Sequence, residues 1–216
     1  APEYEVTVTP ARPAYARGET LEANLAAAYL AGGGLANTRM RWNIVATSAT
    51  FSPPQLDQYS FADADSPWHP YPMRMAGPTV LRPLPAGNRL VIASGDSSTD
   101  GAGVLTLRVP ISAEIRGADS TPMLGPLSFS IEGNATGADG QSIAGRSSVL
   151  IHPAALYVRF SSPGTIVRAG KPIEAGLVVV DWDGRRLAGQ SVEAVLVQRA
   201  WKSHYDEEAG RWRSDV

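Results

Sequence analysis

Few side chains in this sequence have the spacing that chemistry requires. Asp96-Ser97-Ser98-Thr99-Asp100-Gly101 sets Asp, Ser and Asp at alternate positions ahead of a glycine, as the opening of a calcium loop does. Such a loop needs a bidentate glutamate at its twelfth position, and that position is Leu107, in the middle of an apolar strand. The segment therefore reads as a solvated β-turn. Asp63 with Asp65, and Asp181 with Asp183, are Asp-x-Asp pairs that read as turn and hairpin residues. His69, His152 and His204 lie far apart, none belongs to a His-x-x-x-His pair, and the chain has no Gly-x-Ser-x-Gly elbow. A triad assembled from distant segments is the competing enzymatic reading, but nothing local marks a nucleophile. His152 precedes Pro153, where a structural hydrogen bond or plain exposure is expected. The expectation is a non-enzymatic chain with no catalytic, cofactor-binding or metal residues and no cofactor.

Aromatic side chains offer a binding chemistry instead. Trp68, His69 and Tyr71 could stack on a sugar ring or a peptide, although packing over the core is the plainer use of such rings. Trp182, Trp201 and Trp212 cluster late in the chain and are expected to pack against segments not contained in it. Asn134-Ala135-Thr136 matches a glycosylation acceptor, a pattern frequent by chance. The 19 Lys+Arg nearly balance the 21 Asp+Glu, with no basic stripe, so nucleic acid and anionic membrane are poor partners. Cysteine is absent, which removes disulfides, thiolate metal sites and thiol nucleophiles. The opening Ala1-Pro2-Glu3-Tyr4 has no charged segment followed by an apolar core, so a signal or membrane anchor is expected to have been removed or to lie upstream.

The elements that would position these residues follow a period of two. Tyr4, Val6 and Val8 alternate with Glu5, Thr7 and Thr9, as a strand with one face on a core and one in water requires. The same alternation runs through Leu21 to Tyr29, through Met40, Trp42 and Ile44, through Leu127, Phe129 and Ile131, and through Ile173, Ala175, Leu177 and Val179. Turn formers separate these rows, among them Gly32-Gly33-Gly34, Asp100-Gly101, Asp139-Gly140 and Asp183-Gly184. Residues 52–88 carry eight prolines and little alternation, which predicts a long irregular excursion before the next strand near Leu90.

Sliding the chain against itself without gaps reveals a repeat at an offset of 152 residues. Tyr4, Val6 and Val8 fall on Leu156, Val158 and Phe160; Gly18 falls on Gly170, Ala23 and Leu25 on Ala175 and Leu177, and Gly32 on Gly184. Met40, Ile44 and Val45 fall on Val192, Leu196 and Val197. This predicts two copies of one layered all-β domain: residues 1–153, containing the excursion at 52–88, and residues 154–216, an incomplete copy. Half a sandwich exposes an apolar face and unpaired edges that something must cover.

Tyr157-Val158-Arg159-Phe160, Val167-Arg168-Ala169-Gly170-Lys171-Pro172-Ile173 and Val180-Asp181-Trp182-Asp183-Gly184-Arg185 resemble bacterial alpha-2-macroglobulin. Gly140 to Ile143 and Val149 to Ala154 resemble the closing strand of the preceding macroglobulin-type domain, and Tyr15 to Leu21 with Ala28-Tyr29-Leu30 are similar to its opening. The resemblance implies macroglobulin-like, fibronectin/Ig-like antiparallel β-sandwich domains in series. It implies a non-catalytic scaffold fragment of a periplasmic protease trap, an endopeptidase inhibitor, held at the inner membrane by an anchor outside this chain. Its implied partners are proteases, met through the intact parent protein, and neighbouring macroglobulin-type domains. Many family members also carry a thioester between Cys and Gln, which a chain without cysteine cannot contain. The alternative is an Ig-like adhesion or carbohydrate-binding module using Trp68 and Tyr71.

Overall fold

The structure, a computed structural model, describes residues 3–49, 51, 89–117, 120–137, 140–161, 168, 170–195, 202–206 and 211–215. The excursion with Trp68, His69, Tyr71, Asp63 and Asp65 lies outside the described residues, as do Trp201 and the side chains of His204 and Trp212. The chain divides into two compact units, residues 1–186 and 187–216.

Twelve strands account for the regular structure among the described residues, and no helix occurs among them. In the first unit these are β1 (Tyr4–Pro10), β2 (Ala14–Ala16), β3 (Thr20–Tyr29), β4 (Arg39–Ser48), β5 (Leu90–Ser98), β6 (Val104–Pro110), β7 (Leu127–Thr136), β8 (Ser142–His152), β9 (Tyr157–Ser161) and β10 (Gly176–Val180). The second unit contains a hairpin of β11 (Lys202–Asp206) and β12 (Arg211–Asp215), paired antiparallel from Lys202↔Asp215 to Asp206↔Arg211.

The first unit is built on two facing sheets, β1-β3-β6 and β2-β8-β7-β4-β5. Alternation dictates which side chains meet between them. Val6, Val8, Leu21 and Leu25 point inward from the smaller sheet, against Ile44, Phe129, Ile131 and Ile151 from the larger, all under a tenth exposed. Burying each such side chain contributes about 1.5–3 kcal/mol before the entropy of ordering the chain is subtracted. Two tyrosines tie the layers at their margins. The Tyr4 hydroxyl donates to the carbonyls of Ala135 and Gln141 at 3.1 and 2.6 Å and accepts from the Gly137 amide at 3.0 Å. Tyr15, on β2, reaches the backbone of Glu22 on β3 at 3.1 Å.

Two details differ from the alternation. The pairing of β2 with β8 is parallel, because the chain crosses from one sheet to the other at Ala11–Pro13 and Leu150 N–H then donates to Pro13 O at 3.0 Å. A three-residue strand is too short to show a period. The row from Ile173 becomes a strand only at Gly176, and Ile173 itself is exposed.

The 152-residue offset reappears in the hydrogen bonding. In β1–β3 the register pairs Val8↔Leu25 and Val6↔Ala27; in β9–β10 it pairs Phe160↔Leu177 and Val158↔Val179, each the same position shifted by 152. The bridge Ala28↔Gly34 has its counterpart in Val180↔Arg186. Gly32 and Gly184 both take positive φ, 100° and 80°, where a side chain would be strained, so the matched turn glycines do the same backbone job. The surroundings differ. Val6, Val8 and Leu25 are 8%, 7% and 0% exposed, whereas Val158, Phe160 and Leu177 are 52%, 49% and 47% exposed.

Candidate functional site

At the end of β8 an aromatic cluster joins the sandwich to the β9–β10 hairpin within the first unit. The last two residues of β8, Ile151 in the core between the sheets and His152 on the other face of the strand, are both buried, and Pro153 follows them. His152 is 2% exposed. One face of its ring stacks on Trp182, with centroids 4.3 Å apart and planes 12° apart, and Phe51 meets it edge-on at 5.3 Å. Tyr157 stacks on Phe51 at 4.3 Å and brings its hydroxyl to 2.7 Å from His152 Nδ1. Trp182 Nε1 donates to Ala154 O at 2.9 Å, so its indole is fixed at both its face and its polar edge. Arg17, in the turn after β2, donates from its amide to His152 O at 3.0 Å and from its guanidinium to the carbonyls of Met123 and Gly125.

Burial sets the protonation states. Desolvation lowers the His152 pKa below the ordinary imidazole value and raises that of Tyr157 above the ordinary phenol value, the latter opposed by the Arg17 charge. A neutral imidazole and a protonated phenol make a matched pair across the 2.7 Å contact between Nδ1 and the Tyr157 hydroxyl. The structural hydrogen bond expected beside Pro153 is thus present. The stack on Trp182, the edge contact with Phe51 and the Nδ1 contact with Tyr157 enclose His152, which is withdrawn from solvent and couples β8 to the turn that carries Trp182. Trp182 corrects one expectation, since it packs within this chain.

The calcium-like segment is a capped hairpin turn. Asp100 Oδ1 accepts from the amides of Ala102 and Val104, both at 2.9 Å, with Gly103 at φ 80°. Asp181 Oδ1 accepts in the same way from Asp183 and Arg185, also at 2.9 Å, with Gly184 at φ 80°. These carboxylates replace the turn's missing amide partners. Thr99 is buried at 3% and binds Leu35 O at 2.6 Å and the Thr38 amide at 3.0 Å, locking the β3–β4 loop. Among the described residues no group of three or more His, Asp or Glu could hold a metal ion.

The outer face of the five-stranded sheet carries an open polar groove of about 460 Å³ lined by Arg39, Arg41, Asp96, Asn134, Thr136 and Ser142. Arg39 and Arg41 share Asp96, at 3.3 and 3.5 Å. Beside them Glu132 accepts from Arg146 and from Asn134, and those two hydrogen bonds hold its carboxyl below its ordinary pKa. The Asn134 amide of the glycosylation pattern therefore sits within a ladder on β7, bonded at 3.2 Å. Exposed pairs of this kind contribute about 0–1 kcal/mol each.

No family model matches the chain, and no curated protein sequence matches it. Among solved structures, the fold resembles the native conformation of Escherichia coli alpha-2-macroglobulin, with a TM-score of 0.52 and 12% identity over 99% of this chain and 13% of that one. The trypsin-activated form from the same organism gives TM-score 0.52 and 12% identity over 85% of this chain and 12% of that one. Salmonella alpha-2-macroglobulin reacted with methylamine gives 0.50 and 12%, over 100% and 14%. The chain thus spans about an eighth of the length of these neighbours, and what it shares with them is an all-β fold matching their macroglobulin domains.

Proposed function

We propose that this chain is a non-catalytic scaffold segment of an alpha-2-macroglobulin-like protease trap that acts in the periplasm. The supporting observation is that the likeness to bacterial alpha-2-macroglobulins runs over 99% of these residues, with the sandwich and the hairpin that follows both inside it. In this reading residues 154–216 begin a second macroglobulin-type domain, and the exposed apolar face of Val158, Phe160 and Leu177 is the core face of that domain. The partners are a neighbouring domain of the same type and, through the longer protein, an attacking protease. The chain itself contributes rigidity, and with no cysteine it contributes no thioester.

Trapping leaves a recognisable kinetic signature. The full-length product of the reading frame containing these residues is expected to block cleavage of a large protein substrate by an endopeptidase while leaving a small chromogenic peptide cleavable. The 216-residue chain alone is expected to do neither and to form no SDS-stable adduct with the protease. A full-length product that leaves protein substrates fully cleavable, or methylamine-sensitive covalent capture by the chain alone, would overturn the reading.

A further inference from the structure

The β9–β10 hairpin is not hydrogen-bonded into either facing sheet. An aromatic cluster ties it to the sandwich, with members from the end of β8, from Tyr157 at the start of β9, from Phe51 and from the turn carrying Trp182. His152 is the central ring, touching all three of the others. It is also the one member of the four that can gain a charge between neutral and mildly acid pH.

We propose that this cluster is an acid-released latch: with His152 neutral it clamps the β9–β10 hairpin to the end of the sandwich, and a proton on the imidazole frees the hairpin. Nδ1 lies 2.7 Å from the Tyr157 hydroxyl, and a second ring proton makes both imidazole nitrogens donors and puts a full charge on a ring enclosed by aromatic side chains. Stacking on the Trp182 face favours a cation, but an imidazolium in the latch would be 2% exposed, and among the described residues the carboxylates on the elements around it already have partners of their own. The charged and titratable groups on the elements packed around it are few. Arg17 and Glu19 lie in the turn after β2, Tyr157 and Arg159 on the β9 side, and Asp181, Asp183 and Arg185 in the Trp182 turn. Glu19 is taken by the Ala16 amide and Arg12, Asp181 by the amides of its own turn, and Asp183 by Arg185 at 2.8 Å. Arg17 and Arg159 are cations and oppose a third positive charge.

The sign follows from linkage. The latched imidazole has a pKa below the ordinary 6.5 and the released one returns to it, so the latch is fully stable above that value and weakens as pH falls below it. Amide hydrogen exchange on the whole chain, corrected for intrinsic rates, tests this. From pH about 7.5 to about 5.5, protection of the β9–β10 amides is expected to fall at least about two-fold, while β7–β8 amides keep theirs. His152→Phe keeps a flat ring between Trp182 and Phe51 but cannot be protonated, so its fall is expected to vanish; His69→Phe and His204→Phe should retain it. Equal protection at both pH values in the unmodified chain, or an unchanged fall in His152→Phe, would overturn the latch. If His152→Phe does not fold, NMR of the unmodified chain decides. The Val158 and Val179 amide shifts must titrate with the same midpoint as the His152 ring, and a different midpoint or none rejects the proposal.

Discussion

Gly145→Ala is expected to destabilise the sandwich by about 3 kcal/mol or more, at or beyond the usual range for overpacking. The expectation runs against local propensity, because alanine in a strand interior costs less backbone entropy than glycine by about 0.5–1 kcal/mol. Geometry decides the sign. A Cβ on Gly145 would lie 2.2 Å from the carbonyl oxygen and 2.7 Å from the carbonyl carbon of Val6 in the opposite sheet. Both are backbone atoms, so no rotamer change relieves the clash and the two sheets must separate. Directly across the ladder from Gly145 stands Gly133, where a Cβ would lie 2.7 Å from Leu25 Cδ2. The glycine pair forms a recess in the larger sheet in which Val6 and Leu25 rest. Urea unfolding measures the effect: a lower midpoint with an unchanged slope is expected, and an equal or higher midpoint would show that the sheets do not approach this closely.

Phe129→Ala has an expected effect at least as large, about 3–5 kcal/mol, the cost of removing a fully buried aromatic ring and leaving a cavity. Phe129 is 0% exposed, on the central strand β7, and faces the smaller sheet. Its ladder neighbours Ala46 and Val149 are anchored by their own pairings and cannot collapse into the space. Against a total stability of roughly 5–15 kcal/mol for a domain, this substitution brings the chain close to unfolding at physiological temperature. Ser130→Ala, one position along on the outer face, is expected to change stability by no more than about 0.5 kcal/mol. Thermal unfolding of the two variants side by side checks the inward and outward faces of β7. Equal losses in both would mean that the faces are assigned wrongly.

Much of this architecture was legible in the alternation. The rows of Tyr4, Val6 and Val8, of Leu21, Ala23, Leu25 and Ala27 and of Leu127, Phe129 and Ile131 are buried at the apolar positions and more open between them, whereas Tyr29, which the alternation places in the same row, is 48% exposed at the end of β3. A period of two with one buried face leaves little other choice. The strand expected near Leu90 begins at Leu90. Strand β2 was not legible, since three residues following a proline carry no period. The glycine recess had a signal that went unread: Gly133 and Gly145 each interrupt a strand pattern, and an isolated glycine in a strand marks a close backbone approach.

The aromatic cluster was only half visible. His152 beside Pro153 suggests a structural hydrogen bond or exposure, and the ring is buried and bonded; its partners come from positions 51, 157 and 182, and no local spacing joins residues so far apart. Trp182 lies in the incomplete second copy, which is why the sequence suggests a partner from outside the chain. The turn that carries it is Asp-capped, and the indole folds back over His152 from it.

The repeat is the proposition most open to direct measurement. Cross-strand backbone NOEs on the isotope-labelled chain should connect Phe160 with Leu177 and Val158 with Val179, as they connect Val8 with Leu25 and Val6 with Ala27. Identical register in both hairpins is the predicted result. A β9–β10 register slipped by even one residue would turn Val158 and Phe160 to the other face and contradict it.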